Sequence, residues 1–180
     1  MVYVFLAEGF EIVEALAPVD IMTRAGLKVI TVGVTGKTVV SSCGVPVIAD
    51  IEIGDLVLDD KAELIVLPGG MPGTKNLEAS SAVQNAIDYC VEHDIFVSAI
   101  CAAPSILAHK GLLDGKRATC FPSFASELNN AVRTGEQAVR DGKFITGKGA
   151  GAAFDFGFEL VTALCGSDIA KEVAAKMQCR

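Results

Sequence analysis

The stretch Ile95-Phe96-Val97-Ser98-Ala99-Ile100-Cys101-Ala102-Ala103-Pro104-Ser105-Ile106-Leu107-Ala108 decides the fold. It opens on a short apolar run rich in β-formers that leads straight into Cys101. From Ala102 to Lys110 the composition becomes helix-forming, and Gly111 closes the segment. This pattern predicts strand, sharp turn and helix, with the cysteine on the turn. A thiol at that position sits at a helix N-terminus, where unpaired N–H groups and the helix dipole favour an anion. Such a setting is one of those that convert a thiol into a thiolate. The competing reading is a buried structural cysteine, since cysteine is among the residues most often fully buried.

Working outward, apolar strands alternate with amphipathic helices. Residues 1–7, 27–34 and 64–67 read as strands, and 11–25 and 80–93 as helices. Pro18 falls inside the first helix and is expected to kink it or interrupt its hydrogen bonding. Residues 38–42 and 45–51 flank Cys43-Gly44 and predict a β-hairpin, with Pro46 placing its second strand at an edge. Beyond Cys101, residues 117–120 predict a short strand and 124–129 a short helix. Residues 137–140 and 143–146 flank Asp141-Gly142 as a hairpin, and a helix follows through Leu164. Ser167 is read as the cap of a last helix over 168–177. The alternation implies a mainly parallel sheet covered on both faces, folded as one domain over 1–180. Ligands of such sheets bind beyond the carboxyl ends of the strands. Three loops lie there: the turn before Glu11, the Gly69-Gly70 loop and the Cys101 turn.

The 180 residues carry a net charge of -7, which argues against non-specific binding to nucleic acid or to an anionic membrane surface. No apolar run approaches the ~20 residues of a membrane span. The first residues read as a strand rather than a signal peptide, so a cytoplasmic protein is expected. Cysteines stand at 43, 90, 101, 120, 165 and 179, none in C-x-x-C spacing, and the only histidines are His93 and His109. Neither a disulfide framework nor a metal site is expected from that pattern. The loop Gly147-x-Gly149-x-Gly151 lacks the G-x-G-x-x-G spacing of a dinucleotide site and the acidic residue that should follow it, so no cofactor is expected.

Two side chains stand out near the Cys101 turn. Glu14 lies among apolar neighbours in Ile12-Val13-Glu14-Ala15-Leu16-Ala17. As a solvated carboxylate it would be unremarkable; buried, it would have a raised pKa and, protonated, could donate a hydrogen bond. His109 is eight residues along the helix from Cys101, or about 12 Å at ~1.5 Å per residue. His93 ends a helix before the Cys101 strand, on the opposite rim. No Cys–His dyad is visible. Cys120 reads as a strand residue facing the core.

Ala99-Ile100-Cys101-Ala102-Ala103-Pro104, Leu67-Pro68-Gly69-Gly70-Met71-Pro72-Gly73, and Phe10-Glu11-Ile12-Val13-Glu14-Ala15 with Pro18-Val19-Asp20 resemble the DJ-1/ThiJ/PfpI superfamily. The nearest branch is the one of DJ-1 and bacterial ThiJ-like proteins, and the likeness runs through nearly the whole chain. The resemblance implies a flavodoxin-like α/β sandwich with a reactive cysteine on a strand-to-helix elbow, and a homodimer. It implies that Cys101 is the reactive residue and that Glu14 is a protonated carboxyl hydrogen-bonded to its thiolate or sulfinate. It makes the N–H groups of Gly70 and Ala102 the oxyanion donors. Activities attached to relatives include cofactor-free glyoxalase and deglycase chemistry on small α-oxoaldehydes, oxidative-stress sensing, chaperone action and, in the PfpI branch, proteolysis. Two departures matter. The residue after the cysteine is Ala102, where PfpI-type peptidases place histidine. The residue before Pro122 is Phe121, where the DJ-1 branch often has histidine.

Moving a thiol pKa from ~8.5 to ~5.5 takes about 4 kcal/mol. A helix terminus supplies roughly 0.3–2 kcal/mol, and a hydrogen bond to a charged group roughly 1.5–3 kcal/mol. The dipole alone is too small, so a lowered thiol pKa requires a protonated, donating Glu14. The leading expectation is a cysteine-dependent stress protein acting on oxidants or small carbonyl compounds through Cys101. The alternative is a non-catalytic, dimeric, redox-regulated chaperone or binding module, with a PfpI-type cysteine peptidase behind both.

Overall fold

Strands buried on both faces read as continuous apolar runs, and the runs around Val4, Val66 and Val97 form the middle of a sheet. The structure is a computed structural model describing residues 1–179. In chain order it comprises β1 (Val2–Leu6), α1 (Ile12–Arg24), β2 (Val29–Gly33), β3 (Thr38–Val40), β4 (Pro46–Ile48), β5 (Ile51–Glu52), β6 (Leu64–Leu67), α2 (Gly73–Ala79) and α3 (Ser81–Glu92). It continues with β7 (Phe96–Ile100), α4 (Pro104–His109), β8 (Arg117–Ala118), β9 (Val132–Arg133), β10 (Ala138–Asp141), β11 (Phe144–Gly147), α5 (Ala153–Cys165) and α6 (Ser167–Lys176). Short 3-10 segments occupy Ile53–Asp55, Pro122–Leu128 and Ala150–Ala152.

The main sheet has the order β10-β11-β7-β6-β1-β2-β5. Its pairings are parallel except that of β10 with β11. The run β2-β1-β6-β7-β11 is the strand order of a flavodoxin-like doubly wound sheet. Alternation along β1 feeds two cores. Tyr3 and Phe5 join Leu77, Ile87 and Leu107 beneath α2, α3 and α4. Val2, Val4 and Leu6 join Ile21, Met22, Phe156 and Leu160 beneath α1, α5 and α6.

Packing between α1 and α5 sets the position of the helix that carries Glu14. A Cβ at Gly157 would lie 2.6 Å from Ile21 Cδ1 and 3.4 Å from Pro18 Cα, so the missing side chain lets the helices close. Pro18 is buried within a continuous α1. The expected hairpin is present as β3 and β4, but it forms its own two-stranded sheet. Residues 51–52 leave it to pair with β2 at the edge of the main sheet. α2 fills a stretch to which the sequence assigned no element, because the turn glycines end at Gly73 and a helix-compatible segment follows. Two further expectations are corrected. α4 begins at Pro104 rather than Ala102, since Cys101 has a left-handed backbone that no helix accepts. Ser167 lies inside α6, and its side chain makes no capping bond.

Candidate active site

Three loops meet at the carboxyl ends of the adjacent strands β1, β6 and β7, and each contributes one group. The first turn of α1 carries Glu14, which is 1% exposed. The loop after β6 carries Gly69 and Gly70. The residue after β7 is Cys101, with φ 66°. A left-handed backbone costs a non-glycine residue about 1–2 kcal/mol, and such strain gathers at functional positions. Here it is imposed from both sides. The Cys101 N–H donates to the Gly147 carbonyl at 2.9 Å, and its own carbonyl accepts from the Phe121 N–H at 2.8 Å. The result turns the thiol away from the strand line and toward α1.

The glycines set the distances. Gly69 N–H donates to Glu14 Oε2 at 2.9 Å, and the Gly69 carbonyl accepts from Glu11 N–H at 2.9 Å. A Cβ at Gly69 would fall 2.6 Å from Glu14 Oε2, 2.7 Å from Cys101 Cβ and 2.9 Å from the Ile100 carbonyl. Gly70, at φ 90°, could carry no side chain without striking the backbone of Glu11. The backbone N–H groups of Gly70 and Ala102 lie close enough to the Cys101 thiol to favour its ionised form. Glu14 Oε1 is buried and lacks a partner of ordinary hydrogen-bond geometry. A looser contact couples that carboxyl to the Cys101 thiol.

Burial raises Glu14 to about 7, against the opposing hydrogen bonds from Cys101 and Gly69. Burial also pushes the Cys101 thiol up, to about 12, and the Glu14 carboxylate and its hydrogen bond add to that rise. The Gly70 and Ala102 N–H groups pull it back only in part. A lowered thiol pKa is therefore not what this geometry gives while Glu14 is ionised: desolvation outweighs the donors. α4 is too short, and starts too late, to reverse the balance. The pair reads instead as a thiol facing a carboxyl whose own pKa sits near neutrality.

The histidines stand elsewhere. His109 is clasped between Glu78 at 2.6 Å and Glu127 at 3.1 Å, and His93 stacks on Tyr89. Phe121 stands beside Cys101 with its ring 3.3 Å from the place a Gly149 Cβ would take, a place itself 4.0 Å from Cys101 Sγ. Gly147 packs against Ile100 and Phe156. The glycine loop thus serves close packing around Cys101. Gly69 and Gly149 are the site residues to which the sequence reading gave no role of their own; their signal was only the density of glycine in both loops. Cys120 is buried in the core beneath α4. Cys43 is exposed on the β3–β4 turn, where neighbouring Ser42 donates to Glu11 at 2.9 Å. A cavity of about 520 Å³ lies at the other end of the sheet around Asp59, His93 and Lys143. Among the described residues no cluster of three or more His, Cys, Asp or Glu is placed to hold a metal, and no helix is long and apolar enough to cross a membrane.

Residues 1–163 match the model of the DJ-1/PfpI family. The chain is 34% identical to protein dj-1beta of Drosophila melanogaster over 174 residues, covering 95% of this chain and 92% of that one. It is 33% identical to DJ-1 homolog B of Arabidopsis thaliana, of whose length it spans 40%. It is 27% identical to the glutathione-independent glyoxalase DJR-1.2 of Caenorhabditis elegans, covering 89% of this chain and 86% of that one. Among solved structures, oxidized DJ-1 of Toxoplasma gondii superposes with a TM-score of 0.94 at 30% identity, covering 99% of this chain and 97% of that one. The crystal structure of the Drosophila DJ-1beta gives 0.93 at 34% identity, with 99% and 97% covered.

Proposed function

The chain belongs to the DJ-1/PfpI family, and on that premise we propose that it is a cysteine-dependent stress protein that attacks small α-oxoaldehydes, or is oxidised by peroxide, through Cys101. One observation carries the reading: a left-handed cysteine at the end of β7 whose thiol meets two backbone N–H groups and a buried carboxyl with a pKa near 7. A general base works best with a pKa near the operating pH.

In the carbonyl reaction, Cys101 gives its proton to Glu14 as sulfur bonds to the aldehyde carbon of methylglyoxal. The oxygen becomes an alkoxide facing the Gly70 and Ala102 N–H groups and takes the proton back from Glu14, which gives a hemithioacetal and returns Glu14 to the carboxylate. Glu14 then moves a proton from the former aldehyde carbon to the neighbouring carbon through an enediol, which leaves a lactoyl thioester. Water cleaves the thioester, and lactate and the thiol are restored. The sum is methylglyoxal plus water to lactate, with no net redox change and no cofactor. In the oxidant reaction, two equivalents of peroxide convert the thiolate to sulfinate and two waters. Protonated Glu14 and the Gly70 N–H hold the sulfinate oxygens.

Amide hydrolysis is disfavoured. Ala102 supplies no imidazole, and the His109 ring is engaged by two carboxylates away from Cys101. A homodimer is part of the proposal. Val13 on α1 and Val45 and Ile48 at the β3–β4 hairpin are exposed apolar side chains suited to such an interface. Lactate production from methylglyoxal by the pure protein, without added thiol, is the test. Loss in both Cys101→Ser and Glu14→Gln is expected. Unchanged turnover in Cys101→Ser would overturn the proposal, and aggregation suppression surviving that substitution would favour a chaperone or binding module.

A further inference from the structure

A second cavity, about 250 Å³, lies between β8, the Pro122–Leu128 turn, Arg133 and Gly135 at the end of β9, and Lys148 just after β11. Its floor is apolar, formed by Ala118, Pro122, Ala125 and Leu128. Two cations line it. Arg133 donates one guanidinium N–H to the Ala125 carbonyl at 3.0 Å, and Lys148 donates to the Gly135 carbonyl at 3.3 Å. Ala125 and Gly135 also line the cavity, so both cationic heads are tethered at its wall with donors to spare. Among the described residues neither cation pairs with a carboxylate. The third polar group is Thr119. It is 2% exposed, and its hydroxyl has no hydrogen-bond partner, although its N–H is satisfied by Thr146 at 3.0 Å. Buried hydroxyls are ordinarily paired.

We propose that this cavity binds a small organic carboxylate with a short apolar body. Arg133 and Lys148 receive the carboxylate, Thr119 supplies the buried hydroxyl, and the Pro122, Ala125 and Leu128 floor takes the hydrocarbon. Charge-assisted bonds from a guanidinium fork favour the planar anion. The apolar floor disfavours inorganic phosphate, which has nothing to set against it and a larger hydration shell to lose. The site is separate from Cys101. Cys120 and Pro122 line the cavity, while Phe121 between them points its N–H at the Cys101 carbonyl and its ring at Gly149. The proposal therefore stands or falls independently of the chemistry at Cys101.

The test is an amide-resolved NMR titration of the full chain with sodium benzoate, with benzamide and phosphate as comparison probes. Saturable shifts at Thr119, Ala125 and Gly135 are expected with benzoate. Benzamide, and benzoate on an Arg133→Met/Lys148→Met variant, are expected to bind at least about tenfold more weakly. Should the double variant lose its native spectrum, Lys148→Met alone is read in its place, with a several-fold loss expected. Thr119→Val keeps the shape and should also weaken benzoate. The proposal is overturned if no shift saturates, if benzamide binds as well as benzoate, if the cation variants bind normally, or if phosphate binds more tightly at these amides.

Discussion

Glu14 and Cys101 press on the same missing side chain. A methyl group at Gly69 would come within 2.6 Å of the Glu14 carboxyl oxygen and 2.7 Å of Cys101 Cβ. The pair is close because nothing but hydrogen occupies the space beside it, and the Gly69 N–H that points at Glu14 belongs to the same residue.

Gly69→Ala should therefore damage the site out of proportion to its size. Two of its close contacts are main-chain or Cβ atoms that cannot swing aside, so a shift of β7 or α1 is required. We expect a loss of stability of about 1–3 kcal/mol, the usual range for overpacking, and a larger proportional loss of Cys101 reactivity. Chemical denaturation and alkylation of the same sample check both. A variant as reactive as the parent would show that the spacing is slack.

Cys101 is held at φ 66°. Glycine adopts that conformation without the Cβ penalty. Cys101→Gly should thus be more stable than Cys101→Ala by about 1 kcal/mol, although glycine is ordinarily the more destabilising choice. Both should be inert toward methylglyoxal. Urea midpoints of the two variants decide the ordering, and an alanine variant equal to or more stable than the glycine one would contradict the strain.

Glu14 ties stability to pH. Its pKa is raised from 4.5 to about 7 by burial, so between those values the folded protein holds a proton that the unfolded chain releases. Stability then falls as pH rises from about 4.5 to about 7, by up to about 3 kcal/mol from this group alone, and levels off above. Glu14→Gln keeps an acceptor for Gly69 and removes the charge. It should flatten the profile across that window and gain on the parent most above pH 7. Denaturation series at several pH values check this, and parallel profiles for the two proteins would contradict it.

His109 carries the opposite chemistry with a similar sense. Its pKa is raised by the hydrogen bond to Glu78, with Glu127 adding to it. The clasp joins α2, α4 and the Pro122–Leu128 turn. Its contribution is complete below the unfolded value of about 6.5 and is lost as pH rises through the folded value. Glu78→Gln should lower the His109 pKa and weaken this pH dependence. Ring-proton NMR titration reads the shift directly, and an unmoved pKa would show that Glu78 does not hold the ring.

The sheet was legible because its central strands are apolar on both faces and its helices show a clear apolar stripe. The strand-to-helix turn at Cys101 could be read from the change of period at that residue. Its left-handed φ could not. Cysteine carries no signal for it, and the constraint comes from Gly147 and Phe121, which are distant in the chain. Glu14 was visible as a charge among apolar neighbours, but its depth depends on α5 closing over α1 at Gly157. How strongly burial raises the Cys101 thiol could not be read from the sequence for the same reason. Helix-terminus and N–H effects are local and countable from sequence, whereas desolvation depends on the whole packed site. α2 was missed because the turn signal of Pro68 to Gly73 masked the short helix that starts on its last glycine. The cavity beside Cys120 left no trace in the sequence, since its Arg133, Lys148 and Thr119 are brought together only by the β8 and β11 neighbourhoods.

The most direct measurement is the pH dependence of alkylation at each cysteine, resolved by mass spectrometry, for the parent and Glu14→Gln. A thiol that hands its proton to a neighbouring carboxyl of pKa about 7 should react faster with rising pH only up to that value. It should then hold a plateau, because above it the pair shares one proton whatever the pH. We expect that plateau at Cys101 in the parent and its absence in Glu14→Gln. A Cys101 rate that keeps rising through pH 7, and that Glu14→Gln leaves unchanged, would contradict a coupled Cys101–Glu14 pair and the chemistry built on it.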